Sequence, residues 1–365
     1  MEKQTNDKKS TKKYVVGIIG CGRIANFAHL PALSKNSGIR IKYVCDIIVE
    51  KAIKAKKEFP TIEYVTNDYH EILNDKEVDA VFVLTPNYSH YTITMDALRA
   101  NKNVLCEKPI TVNYRLSLEM AEEAEKRGLI LNIGVCNRFN KSIELLEEMN
   151  RKGDFGNIYH VYCSFRAFRA IPGLGGPFTT KSQSGGGVLI DWGIHFLDLI
   201  LYILGKPKIM TVSSSAYSEM AKDLKSYHYK DMWAEDTSNI ENGINDVDDF
   251  ITGFVRTDKA SISFNGAWAQ NIDATEMFID FLGDKCGARL TYGGKFVIYR
   301  GSDLKTIELE YDIPNMYECE DESFIQSCMT GIKDKGNIQY ILDSARLLDA
   351  LYESSDKKKE LTIND

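Results

Sequence analysis

At 365 residues, 44% of them hydrophobic, the chain is long enough for two domains with full cores and has the composition of a soluble globular protein. A net charge of −7 leaves no basic footprint for nucleic acid or an anionic membrane surface. No apolar run approaches the roughly 18 residues of a membrane span, so neither nucleic acid nor membrane is expected as a partner.

Residues 1–13 are polar and Lys-rich, lack the apolar stretch of a signal peptide and read as a disordered tail. Tyr14–Ile19 is a short, bulky apolar run of the kind that forms a buried parallel strand. It leads into Gly20-Cys21-Gly22-Arg23-Ile24-Ala25, a Gly-x-Gly-x-x-Ala turn. Gly20 permits the tight turn, Gly22 lets the backbone approach a pyrophosphate, and Ala25 keeps helix and strand close. The helix beyond would aim free N–H groups and its positive dipole end at the phosphates. A second strand, Ile39–Cys45, ends in Asp46, where a carboxylate would meet the hydroxyls of an adenine ribose. That carboxylate favours NAD over NADP, because it repels a 2′-phosphate and Ile47 and Ile48 bring no cation. The competing role for Asp46 is a cap on the helix at 50–58.

Residues 78–84 read as another buried strand, ending in Thr85-Pro86-Asn87 with His90 one turn into the next helix. The run at 103–106 ends in Glu107-Lys108-Pro109. Both segments deliver polar residues to the carboxyl ends of parallel strands, the edge where open α/β sheets bind ligands. With a helix over Tyr114–Arg127 and a last strand at 129–135, residues 14–137 read as a doubly wound, Rossmann-type α/β domain.

Residues 138–365 change character. After a helical stretch at 141–151, strands at 158–166, 250–256, 260–270, 275–283 and 288–292 follow one another, which predicts an α+β domain with a mostly antiparallel open sheet. A final helix at 338–352 is structural. The Gly-rich segment 170–187 reads as a mobile loop beside the site. Segment 213–247, with Tyr217, Tyr227, Tyr229 and Trp233, either stacks on a sugar ring or packs at a subunit interface. Between them runs a helix that is apolar around most of its circumference, from Val188 to Leu204, and is therefore buried. Yet Asp191, His195 and Asp198 stand at i, i+4 and i+7 on one stripe. A buried carboxylate needs a partner or a polar cavity, so the stripe is either a self-satisfied core pair or a functional site.

The eight cysteines show no Cys-x-x-Cys spacing and several fall in apolar strands, which suits a reducing cytoplasm. None of the six histidines stands at metal-ligand spacing with another His or a Cys, so no metal is expected.

The glycine turn, Thr85-Pro86-Asn87-Tyr88-Ser89-His90, Glu107-Lys108-Pro109 and the Gly-Gly-Gly-x-x-x-Asp191-x-Gly-x-His195-x-x-Asp198 run resemble the glucose–fructose oxidoreductase / inositol dehydrogenase / rhizopine-catabolism (Gfo/Idh/MocA) family, over about residues 13–361. The resemblance implies an NAD-dependent dehydrogenase acting on a secondary hydroxyl of a sugar, inositol or sugar derivative. It implies a catalytic set of Lys108, Asp191 and His195. His195 would serve as general base, Lys108 would stabilise the charge developing on the oxygen, and Asp191 would orient one of them. Which of Lys108 and His195 takes the proton stays open. The cofactor would meet Gly20, Gly22, Arg23, Ile24, Asp46, Thr85, Pro86, Asn87, His90, Glu107 and Lys108. Arg138 and Arg166 join Asp191 and His195 as substrate residues, with a pairing across the domain seam as the competing role for Arg138. The family pattern also implies a cis bond before Pro109 and a homodimer or homotetramer formed through the C-terminal sheet. Three alternatives remain: a glycoside hydrolase that oxidises its substrate transiently, a reductase of a cyclic imine or other unsaturated ring, and a non-catalytic sugar sensor.

Overall fold

The computed structural model describes residues 13–363 apart from 231, 233 and 235, so the proposed tail before Lys13, and Trp233, lie outside the described residues. Six strands, β1 (Tyr14–Ile19), β2 (Ile39–Cys45), β3 (Tyr64–Thr66), β4 (Ala80–Val83), β5 (Asn103–Glu107) and β6 (Leu131–Gly134), form one sheet in the order β3-β2-β1-β4-β5-β6. All its pairs are parallel. The central strands have the continuous apolar runs that a sheet covered on both faces demands, and all four residues of β4 are buried. Strand order reverses between β1 and β4, which opens a crevice beyond their carboxyl ends, where Gly20 and Thr85 stand.

Nine strands make the second sheet: β7 (Ile158–Arg166), β8 (Ile209–Tyr217), β9 (Phe250–Thr257), β10 (Ser261–Ala267), β11 (Glu276–Gly283), β12 (Cys286–Thr291), β13 (Phe296–Arg300), β14 (Lys305–Glu308) and β15 (Leu361–Thr362). Their order is β14-β13-β12-β11-β7-β10-β9-β8-β15, and only the β7/β10 pair is parallel. The apolar helix lies on the inner face, where Phe196 stacks on Phe165 of β7 with ring centroids 5.0 Å apart. By length and hydropathy the stretch Lys181–Ile203 does qualify as a membrane span, contrary to the expectation from the sequence, but 83% of its apolar window is buried inside the fold. It is a core helix.

Two further readings change. Residues 170–187 do not swing free: Ile171, Leu174 and Thr179 are fully buried, and Gly175 holds a φ of +76° where a Cβ would come within 2.6 Å of the Asn239 carbonyl. The chain also divides less simply than a cut at residue 138. The helix Met316–Thr330 returns to the first sheet, where Phe324 packs edge-on to Phe82, and Ile338 and Ile341 join the same domain's core.

Candidate active site

The glycine turn shows why its residues are what they are. Gly20 sits at φ +101°, and a Cβ there would approach the Leu84 carbonyl to 2.5 Å. At Gly22 a Cβ would meet nothing within 4 Å, so that face of the turn is open toward the crevice. Arg23 is exposed and Ile24 half-buried beside it. Asp46 closes the end of β2. Its Oδ2 accepts from the Cys21 N–H and its Oδ1 from the Ile48 N–H, each at 2.9 Å. One bond joins the glycine turn and the other holds Ile48 ahead of the helix Val49–Glu58, whose N-cap Ile48 has no side-chain cap bond. Asp46 is therefore a brace and not the cap, and each oxygen keeps a lone pair for a ribose hydroxyl. These features fit NAD: a turn stripped of side chains where a pyrophosphate would lie, and a carboxylate where the ribose would.

At the end of β4, Thr85 is half-buried and its Oγ1 accepts from Ser89 Oγ at 2.7 Å. Pro86 is exposed, and Asn87 Nδ2 donates to the Ser184 carbonyl at 2.9 Å, tying the crevice to the second domain. His90 and Glu107 do not line the crevice as expected. His90 is fully buried, with Nδ1 2.8 Å from the Pro109 carbonyl and Nε2 2.7 Å from the Thr85 carbonyl. Two carbonyl acceptors require two N–H donors. Burial works against that charge, and Cys106 together with the two carbonyls outweighs it, pushing the imidazole up to about 9. His90 is a brace between Thr85 and the cis Lys108–Pro109 peptide.

Glu107 turns inward as well. Its Oε2 accepts from the Lys108 N–H at 2.9 Å and its Oε1 lies 3.0 Å from His29 Nε2. The other His29 nitrogen, Nδ1, is 2.8 Å from Asp321 Oδ1 on the helix Met316–Thr330. Burial disfavours charge on His29, but Asp321 and then Glu107 outweigh it and hold the imidazole well above its usual range. Neighbouring Glu320 is buried with neither oxygen partnered, and burial followed by Glu107 holds its carboxyl well above the carboxylate range. His29, Glu320 and Asp321 do bring potential metal ligands within 4.8 Å of one another, a grouping invisible in the histidine spacing. Both His29 nitrogens already serve carboxylates, so the cluster reads as a charge brace between the two ends of the chain.

The candidate reactive cluster forms where β5 meets the core helix. Lys108 Nζ lies 2.9 Å from Asp191 Oδ1 and 3.1 Å from the Asp191 carbonyl. Asp191 sits in a single wide π-turn, Leu189–Gly193, that interrupts the helix, a feature frequent at functional sites. Its other oxygen, Oδ2, is buried without a partner, which in a native site calls for a ligand hydroxyl or water. The turn is aimed by Asp248, which accepts from the Gly187 N–H at 2.7 Å and the Leu189 N–H at 3.0 Å. Tyr352 donates its hydroxyl to the same carboxylate at 2.8 Å. A Cβ on Gly187 would fall 1.8 Å from the Asp248 carbonyl, so Gly187→Ala is expected to cost about 2 kcal/mol or more and to lower turnover by displacing Asp191. Paired urea melts and rate measurements check this.

His195 stands one turn on, half-buried, and bonds not to Asp191 but to Asn137, with Nδ2 3.2 Å from its Nδ1. Asn137 escaped the sequence reading, which passed over it for Arg138. Burial, then the nearby Lys108 charge, holds the His195 imidazole well below its usual range, so it is neutral at physiological pH.

Neither arginine reaches this site. Arg138 is 2% exposed and clamps Asp198 in a two-pronged pair, Nε to Oδ2 at 2.7 Å and Nη2 to Oδ1 at 2.6 Å. It also donates to the Lys335 and Tyr340 carbonyls, so the seam role holds and Asp198 is spent on it. Arg166 pairs with Glu276 across β7 and β11. Strand alternation puts it on the sheet face opposite Phe165, away from the core helix.

Comparison with known proteins bears on the whole chain. Residues 14–135 match the family model described as an oxidoreductase family with an NAD-binding Rossmann fold, and residues 143–289 match the GFO/IDH/MocA C-terminal domain. A D-glucoside 3-dehydrogenase of Escherichia coli (strain K12) is 30% identical over 348 residues, 93% of this chain and 95% of that protein. A scyllo-inositol 2-dehydrogenase (NADP(+)) of Bacillus subtilis (strain 168) is 28% identical over 213 residues, 58% of each chain. Among solved structures, a levoglucosan dehydrogenase in complex with NADH and levoglucosan superposes with a TM-score of 0.82, covering 97% of this chain and 100% of that one. At 18% identity that likeness is one of fold.

Proposed function

Since the chain belongs to the Gfo/Idh/MocA oxidoreductase family and carries its NAD-binding domain, we propose that it is a dehydrogenase that oxidises a secondary ring hydroxyl of a sugar, with glucosides first among candidates and inositols second. The observation that carries this reading is the Lys108–Asp191 pair with the second Asp191 oxygen buried and unpartnered. A cation to hold the reacting oxygen and a carboxylate to accept from its neighbour suit a vicinal diol. The relative that spans nearly the whole chain is named for dehydrogenation of a glucoside, which sets this reading ahead of glycoside hydrolysis, imine reduction or ligand sensing.

Bound in the crevice, NAD would take the hydrogen and its electron pair from the carbinol carbon. Gly20 and Gly22 would give its pyrophosphate a close approach, Asp46 would receive the ribose hydroxyls, and Thr85, Pro86 and Asn87 would flank the nicotinamide end. The chain's own work is to hold the reacting oxygen at Lys108 Nζ, fix a neighbouring hydroxyl on Asp191 Oδ2, and receive a proton. The eight free thiols suit a reducing cytoplasm. The outer face of the nine-stranded sheet, with Tyr162 and Tyr299 each 49% exposed, serves a homodimer or homotetramer.

The test is an initial-rate screen with NAD against glucosides, inositols, aldoses and sugar acids. We expect NADH to appear with one class and a keto-sugar to form. Tight NAD binding with no reduction anywhere would sink the reading. Asp46 further sets at least a tenfold preference for NAD over NADP in kcat/KM, which equal rates with the two cofactors would contradict.

A further inference from the structure

Asn137 is 4% exposed and sits in the short turn Cys136–Phe139 that follows β6. Its Nδ2 lies 3.2 Å from His195 Nδ1, 3.0 Å from Tyr292 Oη and 3.9 Å from Cys136 Sγ. An amide nitrogen has two hydrogens and no lone pair to offer. It therefore donates to both Nδ1 and Oη, and His195 Nδ1 is an acceptor. A neutral imidazole that accepts at Nδ1 carries its hydrogen on Nε2 and has no lone pair left there. Such a ring cannot take a proton from a substrate at Nε2.

Lys108 has the complementary arrangement. The Lys108 ammonium paired with Asp191 accepts a proton only after it has released one to solvent, and the amine then owns two N–H groups and one lone pair. Asp191 Oδ1 at 2.9 Å and the Asp191 carbonyl at 3.1 Å take the two hydrogens, and the lone pair remains for the substrate.

We propose that Asn137 is a positioning residue that locks His195 as the Nε2–H tautomer, so that His195 donates a hydrogen bond to the substrate oxygen and Lys108 receives the hydroxyl proton. The division of roles rests on the dehydrogenase reading above. In the oxidation, the substrate O–H bond breaks and its proton joins the Lys108 lone pair to give the ammonium. The carbinol C–H bond breaks, its hydrogen and electron pair pass to NAD, and the C–O bond becomes C=O. In the reverse direction the Lys108 ammonium returns the proton.

The test reads the imidazole directly. The full-length protein is labelled with 15N-histidine and examined without cofactor or substrate at neutral pH, with the His195 signals identified by their loss in His195→Gln. The expected pattern is a neutral ring with Nε2 protonated and Nδ1 of the unprotonated type. Asn137→Asp replaces the donor with a carboxylate that accepts from Nδ1–H, so the protonated nitrogen is expected to switch to Nδ1 and kcat to fall at least ~10-fold, as wrong-tautomer variants do, with NAD affinity unchanged. A wild-type ring protonated at Nδ1 would overturn the proposal, because the amide would then present Oδ1 and His195 Nε2 would be the base. An unchanged tautomer in Asn137→Asp would overturn it too. Because the spectra need no turnover, a protein that oxidised no sugar would remove the proton route and leave the tautomer result standing.

Discussion

Lys108→Ala is expected to lower kcat by about a thousandfold or more while NAD binds with near-normal affinity. The side chain touches Asp191 and in the proposed mechanism holds the reacting oxygen, and losses of this size follow when either a charge-stabilising donor or a proton acceptor is removed. Here both are lost together. The backbone keeps its course in the variant, because the Lys108 N–H still bonds Glu107 Oε2 and His90 still holds the Pro109 carbonyl. Gly20, Gly22 and Asp46, proposed to receive NAD, are not among the bonding partners of Lys108. Asp191, 6% exposed, loses its cation, so a moderate fall in the melting temperature accompanies the change. Rates near those of the native protein would remove Lys108 from the mechanism.

Arg138→Met is expected to cost about 3–5 kcal/mol of stability, because it strands the Asp198 carboxylate in a site 1% exposed. Ser344 Oγ, 2.6 Å from Asp198 Oδ1, is too weak a partner to hold that charge alone. Removing the charge as well, in Arg138→Met with Asp198→Leu, is expected to restore most of the loss. Urea midpoints measure both variants. KM for the substrate should not move in folded Arg138→Met. A raised KM at unchanged stability would return Arg138 to the substrate site.

Much of the fold could be read from residues alone, and for a plain reason. The glycine turn must follow a strand and precede a helix to function at all, and Tyr14–Ile19, Gly20 and Asp46 lie where that logic puts them. Lys108 and Asp191 meet because one follows the buried strand β5 and the other lies near the start of the buried core helix, two segments with strong burial patterns. The errors share a cause. Glu107 and Arg138 carry polar groups at or just beyond strand ends, the position of ligand contacts, and each is instead consumed by a partner distant in the chain, whereas His90 is spent on the Thr85 and Pro109 carbonyls. Asp321 reaches His29 across 292 residues and Asp198 reaches Arg138 across 60, and no local pattern encodes such pairings. Arg138 also overshadowed Asn137, although the tight turn sends their side chains in different directions. Strand β8 was hidden for another reason. Its inward Ser214 is matched to the Leu351 carbonyl and its N–H to Ser354 Oγ, so the usual apolar alternation is replaced by hydrogen bonds.

Transfer of label from a substrate deuterated at the oxidised carbon follows the hydride itself. With the substrate class that reduces NAD in the screen, the deuterium is expected on the reduced nicotinamide and a ketone as the sugar product, with both lost in Lys108→Ala. Cleavage of a glycoside with no net label on the cofactor, or undiminished transfer by Lys108→Ala, would contradict the proposed mechanism.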